Sequence, residues 1–91
     1  MDEKTLASAL AEAPHASIDR IGATVVDLMA KSGIVPSKSA ARRAIEEGGA
    51  YLNNVRVTDV EAIPDAGDLV HGRFLVLRRG KRTVGGIELR G

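Results

Sequence analysis

The stretch that most constrains this chain is residues 37–57, SKSAARRAIEEGGAYLNNVRV. Ser37 is suited to cap a helix, because its hydroxyl can accept from an orphan backbone amide. Gly48-Gly49 can then end that helix in a left-handed turn. Advancing about 100° per residue from Lys38 separates two faces. Lys38, Ser39, Arg42 and Arg43 share one, and Ala41, Ala44, Ile45 and Gly48 share the other. The small apolar face can pack closely on a neighbouring helix while three cations and a hydroxyl project outward. Glu46 falls in the basic sector and can pair with Arg42, in the weaker orientation for that spacing. Beyond the glycines, residues 50–52 and 55–57 read as strands joined by Asn53-Asn54. Asparagine tolerates the positive φ that a type I′ turn needs at both central positions.

Upstream, Thr24 can cap a short helix with Asp27 near its positive end. Val25, Leu28 and Met29 form its buried stripe, and Gly33 stops it. Ile34 and Val35 should enter the core before Pro36. Residues 2–13, DEKTLASALAEA, have the composition of a helix whose apolar face, Leu6 and Leu10, is narrow. This helix reads as a docking or linker element, ended by Pro14 because the residue before proline avoids the helical region. Residues 14–23 read as a loop, with His15 solvated in it. Downstream, residues 58–67 read as an acidic connection anchored by Ile63. Strands are expected at 68–70 and 73–77, the latter buried on both faces. Residues 78–82, RRGKR, form a basic turn, and residues 83–89 return as a hairpin around Gly85-Gly86.

These elements predict an α+β fold: two short packed helices against a small, mostly antiparallel sheet, with an N-terminal helical linker. The expected division is 1–23 for the helix and linker and 24–91 for the domain. With 91 residues there is room for one small domain, burying only about 60% of its unfolded surface. The chain has no cysteine, so disulfides and thiolate metal sites are excluded. It also lacks an apolar run long enough to span a membrane. An acidic start argues against a secretory signal, and a cytoplasmic location is the expectation.

A net charge of +1 conceals segregation. Residues 31–56 and 71–91 are basic, whereas 1–30 and 57–70 are acidic, the last block having four acids and no base. Two basic blocks folded onto one face could attract a polyanion. No catalytic constellation is present: neither a Gly-rich phosphate loop, nor His-Glu-x-x-His, nor a histidine with a triad partner. Asp59, Glu61, Asp65 and Asp68 do not have the spacing of a calcium loop, and no metal site is expected. What remains is a binding surface: Ser37, Lys38, Ser39, Arg42, Arg43, Asn53, Asn54, Arg56, Arg78, Arg79 and Lys81. Arginine forks suit phosphate oxygens, and a helix N-terminus attracts phosphate by itself. Tyr51 and Phe74 are the only aromatic residues. Their scarcity favours reading the backbone and shape of structured RNA over stacking of splayed bases.

Residues 24–57 resemble the RNA-binding fold named after ribosomal small-subunit protein S-four, in the Ser-Lys-Ser-x-x-Arg-Arg helix, the Gly-Gly and the hairpin. More narrowly, AEAPHASI, VVDLMAKSGIVPSKSAARRAIEEGGAYLNNVRVTD and FLVLRRGKR resemble the C-terminal part of bacterial, most of all actinobacterial, tyrosyl-tRNA synthetases. Ala40 departs from that fold, which often has Glu there to close a reciprocal cap. The resemblance implies a domain that grips tRNA(Tyr), including its long variable arm, and has no catalytic residue of its own. It further implies a homodimeric, soluble parent tyrosine–tRNA ligase with ATP and magnesium in a separate catalytic domain. The residues leave two alternatives open. One is the same RNA-binding fold on another RNA-modifying or ribosome-associated protein, such as a pseudouridine synthase or a heat-shock factor. The other is a protein-interaction module docking through the acidic loop or first helix.

Overall fold

A computed structural model describes residues 2–90. The ends of the two expected segments, residues 1 and 91, lie outside the described residues. Two short helices, α2 (Val25–Ser32) and α3 (Lys38–Glu46), form in sequence as their caps require. Thr24 Oγ1 accepts from the Asp27 amide at 3.1 Å, and Ser37 Oγ from the Ala40 amide at 3.1 Å. Gly33 ends α2 with φ at 87°. At the end of α3, Gly48 has φ at 76°, and the Gly49 amide donates back to Ala44 O at 2.8 Å. That bond, with Gly48 N to Ile45 O at 3.1 Å, makes a Schellman stop. Val25, Leu28, Met29, Ala41, Ala44 and Ile45 are buried together in the main core, as their spacing predicts.

Among the described residues the sheet has five strands, in the order β1-β5-β4-β2-β3. They are β1 (His15–Ile18), β2 (Ala50–Leu52), β3 (Val55–Arg56), β4 (Phe74–Arg79) and β5 (Thr83–Leu89). All pairings are antiparallel except β1 with β5. The mixed sheet under helices confirms the expected α+β class. The β2–β3 turn has φ at 51° for Asn53 and 68° for Asn54, as a type I′ turn demands. Alternation along β4 sends Leu75 and Leu77 to the α2–α3 side and Phe74, Val76 and Arg78 to the other.

Residues 83–89 are one continuous strand, not a hairpin. The two glycines there serve packing. A Cβ at Gly85 would collide with Ile34 Cγ2 and lie 2.9 Å from Pro14 O. A Cβ at Gly86 would lie 2.9 Å from both Leu10 methyls, on the opposite face. Glycine read as turn chemistry is here the absence of a side chain, letting elements approach β5 from both sides.

Helix α1 (Glu3–Ala11) lies on that second face. Asp2 caps it, and Leu6 and Leu10 are buried with Phe74 in a small second cluster. Burying three such side chains contributes roughly 1.5–3 kcal/mol each. Arg73 ties the helix down further, reaching Glu3 at 2.9 Å and bonding Glu88 on β5. The expected loop at 14–23 contains β1, whose Ile18 enters the main core. The extended bias that makes proline end a helix here also starts a strand. The sheet therefore includes residues on both sides of position 23.

Two further expectations fail. Residues 68–70 form no strand; a 3-10 turn spans Ala66–Asp68, and Val70 alone bridges to Phe74. Asp65 and Asp68 cap that turn reciprocally, holding the backbone locally where a ladder was expected. Ile63 is 57% exposed, while Pro64 is buried and Val60 and Ala62 pack against the core in its place.

Candidate nucleic-acid interface

Helix α3 presents Ser39, Arg42 and Arg43 to solvent on the face away from Ala41 and Ala44. Among the described residues, neither arginine makes an ion pair or side-chain hydrogen bond, and the expected Arg42–Glu46 pair is not formed. Their guanidinium forks are thus uncommitted, on a helix whose two ends are locked by caps. Ser37 is a cap first, its hydroxyl committed to the Ala40 amide. The missing Glu at Ala40 removes the reciprocal half of that cap but leaves this half intact.

Lys38 differs from its neighbours. Its Nζ lies 3.0 Å from Asp27 Oδ1 on α2, and this contact, above all, holds the Asp27 carboxyl below its usual range. Asp27 acts here as a counter-charge, a part that its reading as a cap neighbour missed. A shallow concavity beside it is lined by Asp27, Arg42 and Glu61. The Lys38–Arg42 edge of α3 is therefore flanked by acids from neighbouring elements.

The hairpin residues also separate. Asn53 has both ends of its amide engaged: Oδ1 accepts from Val76 N at 3.0 Å and Nδ2 donates to Asp68 O. It bolts the turn to β4 and to the acidic connection, so its expected free amide is taken. Asn54 is exposed. Arg56 is exposed on the edge strand, running past Gly48 at the end of α3.

The basic turn divides in two. The Gly80 amide donates to Gly49 O at 2.7 Å, seating the turn beside the Gly48-Gly49 stop. That bond brings the exposed Arg79 and Lys81 next to the α3 terminus, on the side expected from the sequence. Arg78 points to the other face of the sheet. Its guanidinium lies 4.4 Å from the Tyr51 ring centroid, and its buried Nε has no hydrogen-bond partner among the described residues. The register sets Arg56, Tyr51 and Arg78 in one cross-strand row. Arg78 is therefore not brought into the α3 surface. Tyr51 as its platform was legible only once the pairing of β2 with β4 was known.

Arg82 is exposed, and two other cations of the last block are tied up internally. Arg73 bridges Glu3 and Glu88 and lies 5.0 Å from the Phe74 ring centroid. Arg90 Nε is 3.2 Å from Glu88 Oε1. His15 is exposed on β1, its Nδ1 2.8 Å from Ala13 O. Among the described residues no three His, Asp or Glu side chains gather as a metal site, and no helix is long and apolar enough to cross a membrane.

A helix pair carrying free arginines beside a locked hairpin defines a small α+β binding domain, equipped to hold a polyanion through fixed cations. The model for the tyrosine--tRNA ligase SYY-like C-terminal domain matches residues 5–84, and the chain belongs to that family. It is 58% identical to a tyrosine--tRNA ligase of Thermobifida fusca over 93 residues, covering 99% of this chain and 22% of that protein. It is 55% identical to that of Streptomyces griseus, covering 98% of this chain and 21% of that one. For Mycobacterium tuberculosis the identity is 50%, with 97% and 21% covered. The chain thus spans about a fifth of the length of the curated relatives it matches. Among solved structures it resembles a tyrosyl-tRNA synthetase C-terminal domain in solution, with TM-score 0.68 and 33% identity. That match covers 98% of this chain and 90% of the other.

Proposed function

We propose that this chain is the tRNA-gripping appendage of a tyrosyl-tRNA synthetase. It positions tRNA(Tyr), long variable arm included, for aminoacylation by a catalytic domain that lies outside these residues. The observation that carries this reading is the uncommitted Arg42–Arg43 pair on a doubly capped helix, with Arg79 and Lys81 bolted beside its end. Rigid arginine forks suit phosphate oxygens, contacts that carry no base code and so fix the position of a folded RNA by its backbone. The family relationship supports tRNA(Tyr) as that RNA. The domain performs no bond chemistry; in the parent enzyme, ATP and magnesium belong to the catalytic domain. That parent is a cytoplasmic homodimer in this reading.

Competition binding tests the specificity. Unlabelled tRNA(Tyr) should displace labelled tRNA(Tyr) well below the concentration needed of a tRNA without a long variable arm. Equal displacement by both would remove tRNA(Tyr) as the cognate ligand and favour a general RNA-binding role.

A further inference from the structure

The most exposed large apolar side chains, Val55 at 70% and Ile63 at 57%, line the same groove, between the β2–β3 hairpin and the acidic connection. Its apolar lining continues through Leu52, Val57 and Pro64. Asp59 and Asp68 also line it. Their carboxylates are occupied only with backbone amides of their own loop: Asp59 Oδ1 accepts from Glu61 N at 2.8 Å, and Asp68 Oδ2 from Asp65 N at 2.9 Å. Among the described residues no acid of 57–70 forms an ion pair, so the two carboxylates in this apolar cleft stand without a salt-bridge partner and outnumber the single cation of its lining, Arg56. A nucleic acid is the wrong occupant, since phosphates would meet carboxylates and the ribose backbone gives the apolar walls nothing to bury.

We propose that this groove docks a protein segment of the same ligase polypeptide, lying outside these 91 residues: an extended stretch with an apolar side chain flanked by lysine or arginine. The apolar side chain fills the space between Val55 and Ile63, and its basic neighbours meet Asp59 and Asp68. Strand β3 is one of the two edge strands of the sheet, so an extended segment can also pair with its backbone. The occupant follows from length and charge. About four-fifths of the matched relatives lies outside this region, and a covalently attached segment reaches an effective concentration near the millimolar range. A groove of this size then needs only weak intrinsic affinity to be filled. Docking here would fix the angle at which α3 is offered to RNA. The inference rests on the reading of this chain as a ligase appendage.

The test uses the full-length ligase carrying this chain, with the photo-crosslinker p-benzoylphenylalanine replacing Ile63. Irradiation without RNA should give one intramolecular adduct, mapped by mass spectrometry to a segment with basic residues around an apolar one. Its yield should fall several-fold in about 1 M salt, where screening acts within about 3 Å. It should fall similarly in the Val55→Lys background, which removes one wall and adds a like charge. The same crosslinker replacing Val84, on the other face of the sheet, serves as control. A yield no higher than that control, a cross-linked dimer band, or an adduct to added tRNA would each overturn the proposal. Affinity of the unmodified enzyme for tRNA(Tyr), measured alongside, reports separately on the tRNA-binding reading.

Discussion

Two sets of arginines sit on opposite sides of one sheet, and only their partners distinguish them. On the helix side, Arg42 and Arg43 make no ion pair among the described residues. On the α1 side, Arg73 is bonded to Glu3 and Glu88, and Arg90 to Glu88. In sequence the second set belongs to the more basic block. A count of charge therefore does not tell which cations are left without an internal partner. Committed cations assemble the α1 attachment; uncommitted ones are left to meet a ligand.

This contrast predicts separable effects. The largest belongs to the α1 side: Leu10→Ala should cost about 3 kcal/mol in urea unfolding, as a buried leucine does. Affinity for tRNA(Tyr) per folded molecule should stay unchanged. Next comes the α3 side, where the double substitution Arg42→Ala with Arg43→Ala should weaken tRNA binding at least tenfold, about 1.4 kcal/mol. Its unfolding free energy should stay within about 0.5 kcal/mol of the parent, as for exposed positions generally. A large stability loss there would mean that these arginines are structural after all. Ser37→Ala, which removes the α3 cap, should cost about 1 kcal/mol and lower RNA affinity only in step with helix fraying.

The smallest effect is in pH. Glu88 is held below the usual glutamate range, by Arg73 foremost and then Arg90. A carboxylate whose folded pKa is depressed adds stability above its unfolded pKa and loses it as pH falls through the folded value. Acid titration of unfolding should thus show a small loss below the ordinary glutamate range that Glu88→Gln removes. Persistence of that loss in the variant would assign it elsewhere, to Asp27 beside Lys38 or to the α1 cap Asp2, whose carboxyls are also held low.

Much of the fold was legible because local rules were obeyed in 24–57: caps at Thr24 and Ser37, stops at Gly33 and Gly48, and positive φ at both asparagines. What escaped was non-local. Strand β1 is four residues added in parallel to the far end of the chain, and no local period marks such a pairing. Gly85-Gly86 read as a turn because sequence does not reveal which elements will press on a strand from each side. At the candidate site, charge and helical phase put Arg42 and Arg43 on one exposed helix face, where the structure also has them. They could not reveal that Lys38 is paired, that Asn53 is fully bonded, or that Arg78 lies on Tyr51 across the sheet.

The most direct test of the central claim is the salt dependence of tRNA(Tyr) binding in the parent chain and two variants. If about four cations meet phosphates, log affinity should fall against log salt with a slope of roughly −3 to −4. The Arg42→Ala, Arg43→Ala pair should make that slope shallower by about 2, and Arg73→Ala should leave it unchanged. A flat response, or a slope reduced by Arg73→Ala but not by the α3 pair, would contradict the account.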